Sequence, residues 1–182
     1  MENLEFKLWG GKRIKDVTEY LKDHFSKNKS DRIYIGCDSQ NVGQHTKYAV
    51  AICLYSEMLH KGAHVIYVQE KVDRIDDQTE GGIQRKLAGE SERVYQIAEM
   101  LQEELIDFAK LNWPDYSEDT KICEIHLDYN PVEGRRERKK YRQNKSNKTL
   151  GWSLNWLKSI GYVVKNKPQA WAASYAADKL CR

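Results

Sequence analysis

At 182 residues the chain has the length of one domain and is long enough to bury a substantial core. Hydrophobic residues make up 40% and charged residues 31%, the balance of an ordinary soluble globular protein, and no window reaches the ~18 apolar residues that a membrane helix needs. The net charge of +3 conceals an asymmetry: from Pro131 onward thirteen Lys/Arg face three acids (Glu133, Glu137, Asp178), a balance of +10, while the rest carries 17 basic and 24 acidic residues, a balance of −7. Such asymmetry points to an anionic partner on one side of the molecule.

The opening Met1-Glu-Asn-Leu-Glu has neither the basic nor the apolar region of a secretory signal, so a cytoplasmic location is expected. Cys37, Cys53, Cys123 and Cys181 are far apart, with no Cys-x-x-Cys pair and no His at zinc-ligand spacing. They read as buried structural thiols.

In chain order, Ile14, Val17, Leu21 and Phe25 fall at helical spacing and predict a short amphipathic helix. Arg32 to Asp38 is an apolar run ending in an acid and bounded by Ser39, Gln40, Asn41 and Gly43, which predicts a strand entering a turn. Tyr48–Tyr55 and His64–Val72 read as two further strands, and their short polar connections predict an antiparallel meander. A long helix follows from about Ile83 to Leu111, with the stripe Ile83, Leu87, Val94, Ile97, Leu101, Leu105, Phe108, and Pro114 stops it. Lys121–Asp128 is a fourth strand, again ending in an acid. A basic loop, a helix from about Thr149 to Ser159 and a fifth strand over Gly161–Lys165 come next. Pro168 is placed to open a final helix through Leu180. The reading is an α/β fold, a mixed five-stranded sheet in the order β-β-β-α-β-α-β-α flanked by helices. The whole chain, 1–182, forms one domain with a helical N-terminal extension over 1–30.

Four acids occupy unexpected places. Asp38 and Asp128 each end an apolar strand; if the strands are neighbours, both carboxylates emerge on one rim of the sheet, in alternation with Tyr34, Gly36 and with Glu124, His126. Either could instead start a turn. Glu90 fills the missing beat between Leu87 and Val94, so it faces the sheet, where a carboxylate is poorly solvated unless it meets a cation. Glu92 points roughly 200° away and reads as solvated. Asp178 lies among small residues, Ala172-Ala-Ser-Tyr-Ala-Ala, as where a helix packs closely on a sheet. Clustered carboxylates repel unless hard cations neutralise them, and Mg²⁺ prefers oxygen ligands. Two such ions can activate water and stabilise the leaving oxygen in phosphodiester hydrolysis, chemistry that needs no Ser, Cys or His nucleophile.

An Asp ending the first strand of a three-strand meander, a Glu on the next helix, an Asp ending the fourth strand and an Asp on the last helix resemble the ribonuclease H layout from about Asp31 to Leu180. More narrowly the chain is similar to YkuK-type ribonuclease-H-like proteins of bacteria, through Ile35-Gly-Cys-Asp-Ser-Gln40, Glu90 after Lys86-Leu-Ala-Gly, Ile125-His-Leu-Asp128 and Ala173-Ser-Tyr-Ala176. The resemblance implies a metal-dependent nuclease using two Mg²⁺ or Mn²⁺ ions. In it Asp38 would bridge both metals, Glu90 and Asp128 would each complete one site, and Asp178 would bind the second. His126 reads as a packed strand histidine or as a group supporting Asp128. Proofreading exonucleases of this fold carry Asp-x-Glu on the first strand, whereas here it is Asp38-Ser39-Gln40. The actin-like ATPases need a Gly/Thr-rich phosphate turn that Ser39–Gly43 does not supply.

Arg135, Arg136, Arg138, Lys139, Lys140, Arg142, Lys145 and Lys148 fall within fourteen residues, opposed only by Glu137 and interleaved with Tyr141. Directly after Asp128, such a run suits steering a phosphate backbone without reading bases, although a solvated face is the plain alternative. Trp152 and Trp156 share a helical face, for stacking on bases or for the core. The expectation is a nuclease acting on RNA, an RNA–DNA hybrid or structured DNA; the alternative is a nucleic-acid-binding module that has kept the fold and lost turnover. The sequence is silent on oligomeric state.

Overall fold

The computed structural model describes residues 4–59, 61–117, 121–129 and 147–182, with the backbone alone for residues 147–150. Its frame is a long hairpin, β2 (Arg32–Val42) against β3 (His45–Tyr55), antiparallel and in continuous register from Arg32↔Tyr55 to Val42↔His45. The two-residue turn carries Gly43 at φ 58°, a left-handed position that glycine adopts without steric cost. β4 (His64–Asp73) adds antiparallel to β3, completing the expected meander.

The expected turn after Asp38 is corrected: β2 continues through Ser39, Gln40, Asn41 and Val42. The apolar pattern stops early because that end pairs with the polar start of β3, Gln40 with Lys47 and Asn41 with Thr46.

The helix α1 (Val17–Lys27) precedes this hairpin, capped by the Asp16 carboxylate accepting from the Glu19 N–H at 2.9 Å. After β4, α2 (Glu80–Asn112) starts at an N-cap Thr79, whose hydroxyl oxygen accepts from the Gly82 N–H, and ends just before Pro114. It carries the chain back so that β5 (Cys123–Leu127) lies parallel to β2. α3 (Asn147–Ser159) does the same for β6 (Val163–Asn166), parallel to β5. The sheet order is β1-β4-β3-β2-β5-β6. The five expected strands are therefore the body of a six-stranded mixed sheet; the addition, β1 (Lys7–Leu8), pairs with β4 through two residues, too few to leave a period in the sequence.

The two faces of the sheet differ. Under α1, α2 and α3 lies a large apolar core built on Ile33, Ile35, Val50, Ile52 and Leu54, closed by Phe25, Val94, Leu101, Leu105 and Leu157. Among the described residues the opposite face carries the last segment: a π-helical stretch, Ala172–Ala177, running directly into α4 (Asp178–Cys181). Four buried alanines of this segment rest on Tyr34, Gly36, Ala51 and Cys53. A Cβ on Gly36 would lie 2.3 Å from the Ala173 nitrogen, so only glycine permits that approach. Pro168 does not open the final helix. It sits in a turn closed by the Gln169 N–H on the Asn166 carbonyl at 2.9 Å, and winding begins only after it.

All four cysteines are buried and unpaired with one another, as expected of structural thiols. Trp156 packs on Tyr95, while Trp152 stacks over Trp156 from outside and stays half exposed. No helix among the described residues is long and apolar enough to cross a membrane.

Candidate active site

The parallel pairing of β2 with β5 brings the first two acids together. Cys37 and Leu127 are register partners, so the next residue on each strand is Asp38 and Asp128. Asp38 points to the face covered by the last segment, and Asp178 opens α4 on that same face within electrostatic reach of it. Glu90 comes from α2 on the other face and meets the strand through Ser39, whose hydroxyl donates to Oε1 of Glu90. The four acids singled out in the sequence thus converge from β2, α2, the end of β5 and α4.

Their surroundings are unequal. Glu90 is 4% exposed, and burial first, then the charge of Asp38, hold its carboxyl well above the usual range against the Ser39 hydroxyl and Lys86. Burial also pushes Asp38 up to about 6, opposed by the Ser39 N–H and by Lys86, and reinforced by Asp128 and Asp178. Among the described residues neither acid has a lysine or arginine at ion-pair distance. Asp128 differs: its Oδ1 accepts from Ser174 Oγ at 2.7 Å and lies 2.7 Å from Lys167 Nζ. Asp178 is paired one turn on with Arg182, 2.8 Å from Nη2.

His126 holds the last segment in place. Fully buried, it accepts the Ala172 N–H on Nδ1 at 3.1 Å, which leaves the ring proton on Nε2, 3.0 Å from the Glu124 carboxylate. Its ring lies against Tyr34 and Trp171. With Gly36 beside it in register, His126 fixes where the helix begins, and so where Ser174 and Asp178, four residues apart on one face, come down. Of its two expected roles the packed one is observed, with a positioning consequence. Glu92 is exposed, as its phase predicted.

Four carboxylates offering oxygen donors alone suit a hard divalent cation, and two of them, the buried Glu90 and the half-buried Asp38, have no ion-pair partner among the described residues. As the side chains stand, no three His, Cys, Asp or Glu among the described residues close on a common point. Asp128 and Asp178 instead hold Lys167 and Arg182, which an incoming cation would displace.

Several participants were not singled out by sequence. Ser39 and Ser174 stood inside matching stretches without a role. Lys86 likewise stood inside a matching stretch without a role, and Lys167 carried no signal, because its relevance depends on strand register. The basic residues Arg135, Arg136, Arg138, Lys139, Lys140, Arg142 and Lys145 lie outside the described residues, and Lys148 falls in the first turn of α3 as backbone only.

Residues 13–182 match a family model described as Ribonuclease H-like. Neither the curated proteins nor the solved structures provide a match.

Proposed function

The chain belongs to the ribonuclease H-like family, and on that premise we propose that it is a divalent-metal-dependent nuclease hydrolysing phosphodiester bonds of RNA, an RNA–DNA hybrid or structured DNA. The observation that carries this reading is that Asp38, set by strand register beside Asp128, lies within electrostatic reach of Asp128, Asp178 and Glu90, acids from four separate elements. A buried Glu90 and a half-buried Asp38, coupled to each other and without an ion pair among the described residues, are an expensive arrangement for stability alone, and such perturbed acids mark functional sites. The Gly36-x-Asp38-Ser-Gln and Ile125-His-x-Asp128 stretches support the narrower YkuK-type assignment.

In this reading the four carboxylates would hold Mg²⁺ or Mn²⁺, whose chemistry when bound would be to activate water and neutralise charge on the leaving oxygen. The remaining work belongs to the chain. Ser39 orients Glu90, Ser174 fixes one oxygen of Asp128, and His126 with Gly36 sets the height of the helix carrying Ser174 and Asp178. The basic residues from Arg135 to Lys148 suit an anionic polymer, whose affinity then falls with salt.

The test couples binding to chemistry. A ligand that binds only the folded state stabilises it by RT ln(1 + [L]/Kd), so Mn²⁺ should raise the melting temperature and support cleavage of at least one of the three substrates. Asp38→Asn should remove both effects while leaving the circular dichroism spectrum unchanged. A melting curve unmoved across the Mn²⁺ titration, in a protein that still retains nucleic acid on a filter, would overturn the nuclease in favour of a binding module.

A further inference from the structure

One cation is built into the site, and its position follows from strand order. β2, β5 and β6 run parallel, and their register sets Cys37, Leu127 and Asn166 side by side. The residues that follow these partners are Asp38 within β2, Asp128 just past β5 and Lys167 just past β6, so an ammonium is delivered beside two of the acids. Lys167 Nζ lies 2.7 Å from Asp128 Oδ1, the oxygen that also accepts from Ser174. The pair is unevenly sheltered: the carboxylate is 16% exposed and the lysine side chain 37%. The backbone beneath it is pinned by the Gln169 N–H on the Asn166 carbonyl, so the lysine stem can swing while its root stays put.

A lysine suits this place differently from an arginine. Its ammonium is a compact point charge on a flexible stem and makes no bidentate fork with the carboxylate. A divalent ion taking Asp128 would face that ammonium at contact distance, and the repulsion would drive it off the oxygen. Once released, the half-exposed side chain still stands on the rim beside Asp128 and is open to solvent.

We propose that Lys167 is an exchangeable cation: it occupies Asp128 until a divalent ion takes that carboxylate, and the released ammonium then contacts a phosphate of the nucleic-acid substrate. This rests on the metal-dependent reading of the four acids and assigns to Lys167 both a brake on metal entry and a metal-dependent substrate contact.

The test uses the full chain and two readouts other than cleavage. In calorimetric titration with Mn²⁺, Lys167→Gln should bind about three- to tenfold tighter than the parent, and Lys167→Arg, which keeps the charge, no tighter. Affinity for a nuclease-resistant phosphorothioate single strand is then measured across a salt series, with Mn²⁺ and with EDTA. With Mn²⁺ the parent's slope of log K against log[salt] should be steeper than that of Lys167→Gln by about 0.7, the share of one single-strand contact; with EDTA the two slopes should coincide. Equal Mn²⁺ affinities for the parent and Lys167→Gln, or slopes that differ equally under both conditions, would overturn the exchange and leave the pair a static ion pair. A parent that takes up no Mn²⁺ overturns this inference together with the metal-site reading, and calorimetry alone tells that outcome from the first.

Discussion

The two faces of the sheet are built on opposite principles. Beneath α2 the contacts are between large apolar side chains, Ile35, Ile52, Leu101 and Leu105 among them, all buried. Beneath the last segment small residues, Gly36 and Ala51 against four alanines, let backbone approach backbone at Gly36 and Ala173, with a group of rings, Tyr34, Tyr55, His126 and Trp171, packed beside them. The first face removes apolar area from water and so carries most of the hydrophobic stabilisation. The second buries less area and instead brings backbone close to backbone, which fixes side chains rooted there, Ser174 and Asp178, with little slack. Stability and positioning are therefore assigned to different sides of one sheet, and the acids draw from both: Glu90 from the thick face, Asp38 and Asp178 from the thin one.

The sharpest way to break this division is to damage each face separately. Leu101→Ala, at a fully buried position of α2, should cost about 2–5 kcal/mol in urea denaturation. The rise in melting temperature on adding Mn²⁺ should nevertheless persist. Gly36→Ala should cost less, about 1–3 kcal/mol, because the added methyl forces the last segment outward without emptying the core. Here the Mn²⁺-induced rise should disappear, since Ser174 and Asp178 move with their backbone. If Leu101→Ala removed the metal response and Gly36→Ala preserved it, the division would be wrong.

The smallest expected effect concerns pH. Folded, Asp38 keeps its proton up to about 6, and unfolded only to about 3.9. Between those values the folded state binds more protons, so metal-free stability should fall as pH rises through that window and level off above it. Glu90, also raised, contributes in the same direction. Asp38→Asn should flatten part of the decline and make the metal-free protein about 1–2 kcal/mol more stable at pH 7, read from denaturant midpoints across pH. A variant less stable than the parent at pH 7, with an unchanged pH profile, would mean that Asp38 is not strained by its neighbours.

The thick face was the more legible in sequence. The stripe of α2 named Val94, Ile97, Leu101 and Leu105, and the gap in that stripe named Glu90, because a 3.6-residue period survives in one helix without knowledge of its partners. Asp38 and Asp128 were found because an acid at the end of an apolar run stands out locally. The structure shows that Asp38 is in fact mid-strand, and its polar neighbours Gln40 and Asn41 had mimicked a turn. The thin face was harder to read. Alanines and a glycine carry little periodicity, and the role of Gly36 exists only through a backbone 137 positions later, Ala173. Lys167 was invisible for a related reason, since pairing between parallel strands joined through a helix has no local signature. Pro168 misled, because the same residue that suits a helix start also suits the turn it occupies.

The buried thiol near the end of the chain gives this site a clock. Cys181 Sγ donates to the Asp38 carbonyl at 3.0 Å, and the neighbouring Leu180 carbonyl accepts from Gln69 at 2.7 Å. Cys37, Cys53 and Cys123 lie in the strands β2, β3 and β5, whereas Cys181 sits on a four-residue helix. Local opening should therefore expose Cys181 to a thiol reagent more readily than the other three, all of which are held in the sheet. The motion that frees it would also carry Asp178 out of electrostatic reach of Asp38. The fast phase of thiol modification then counts the moments at which the constellation of acids is apart, read out at a side chain that takes no part in it.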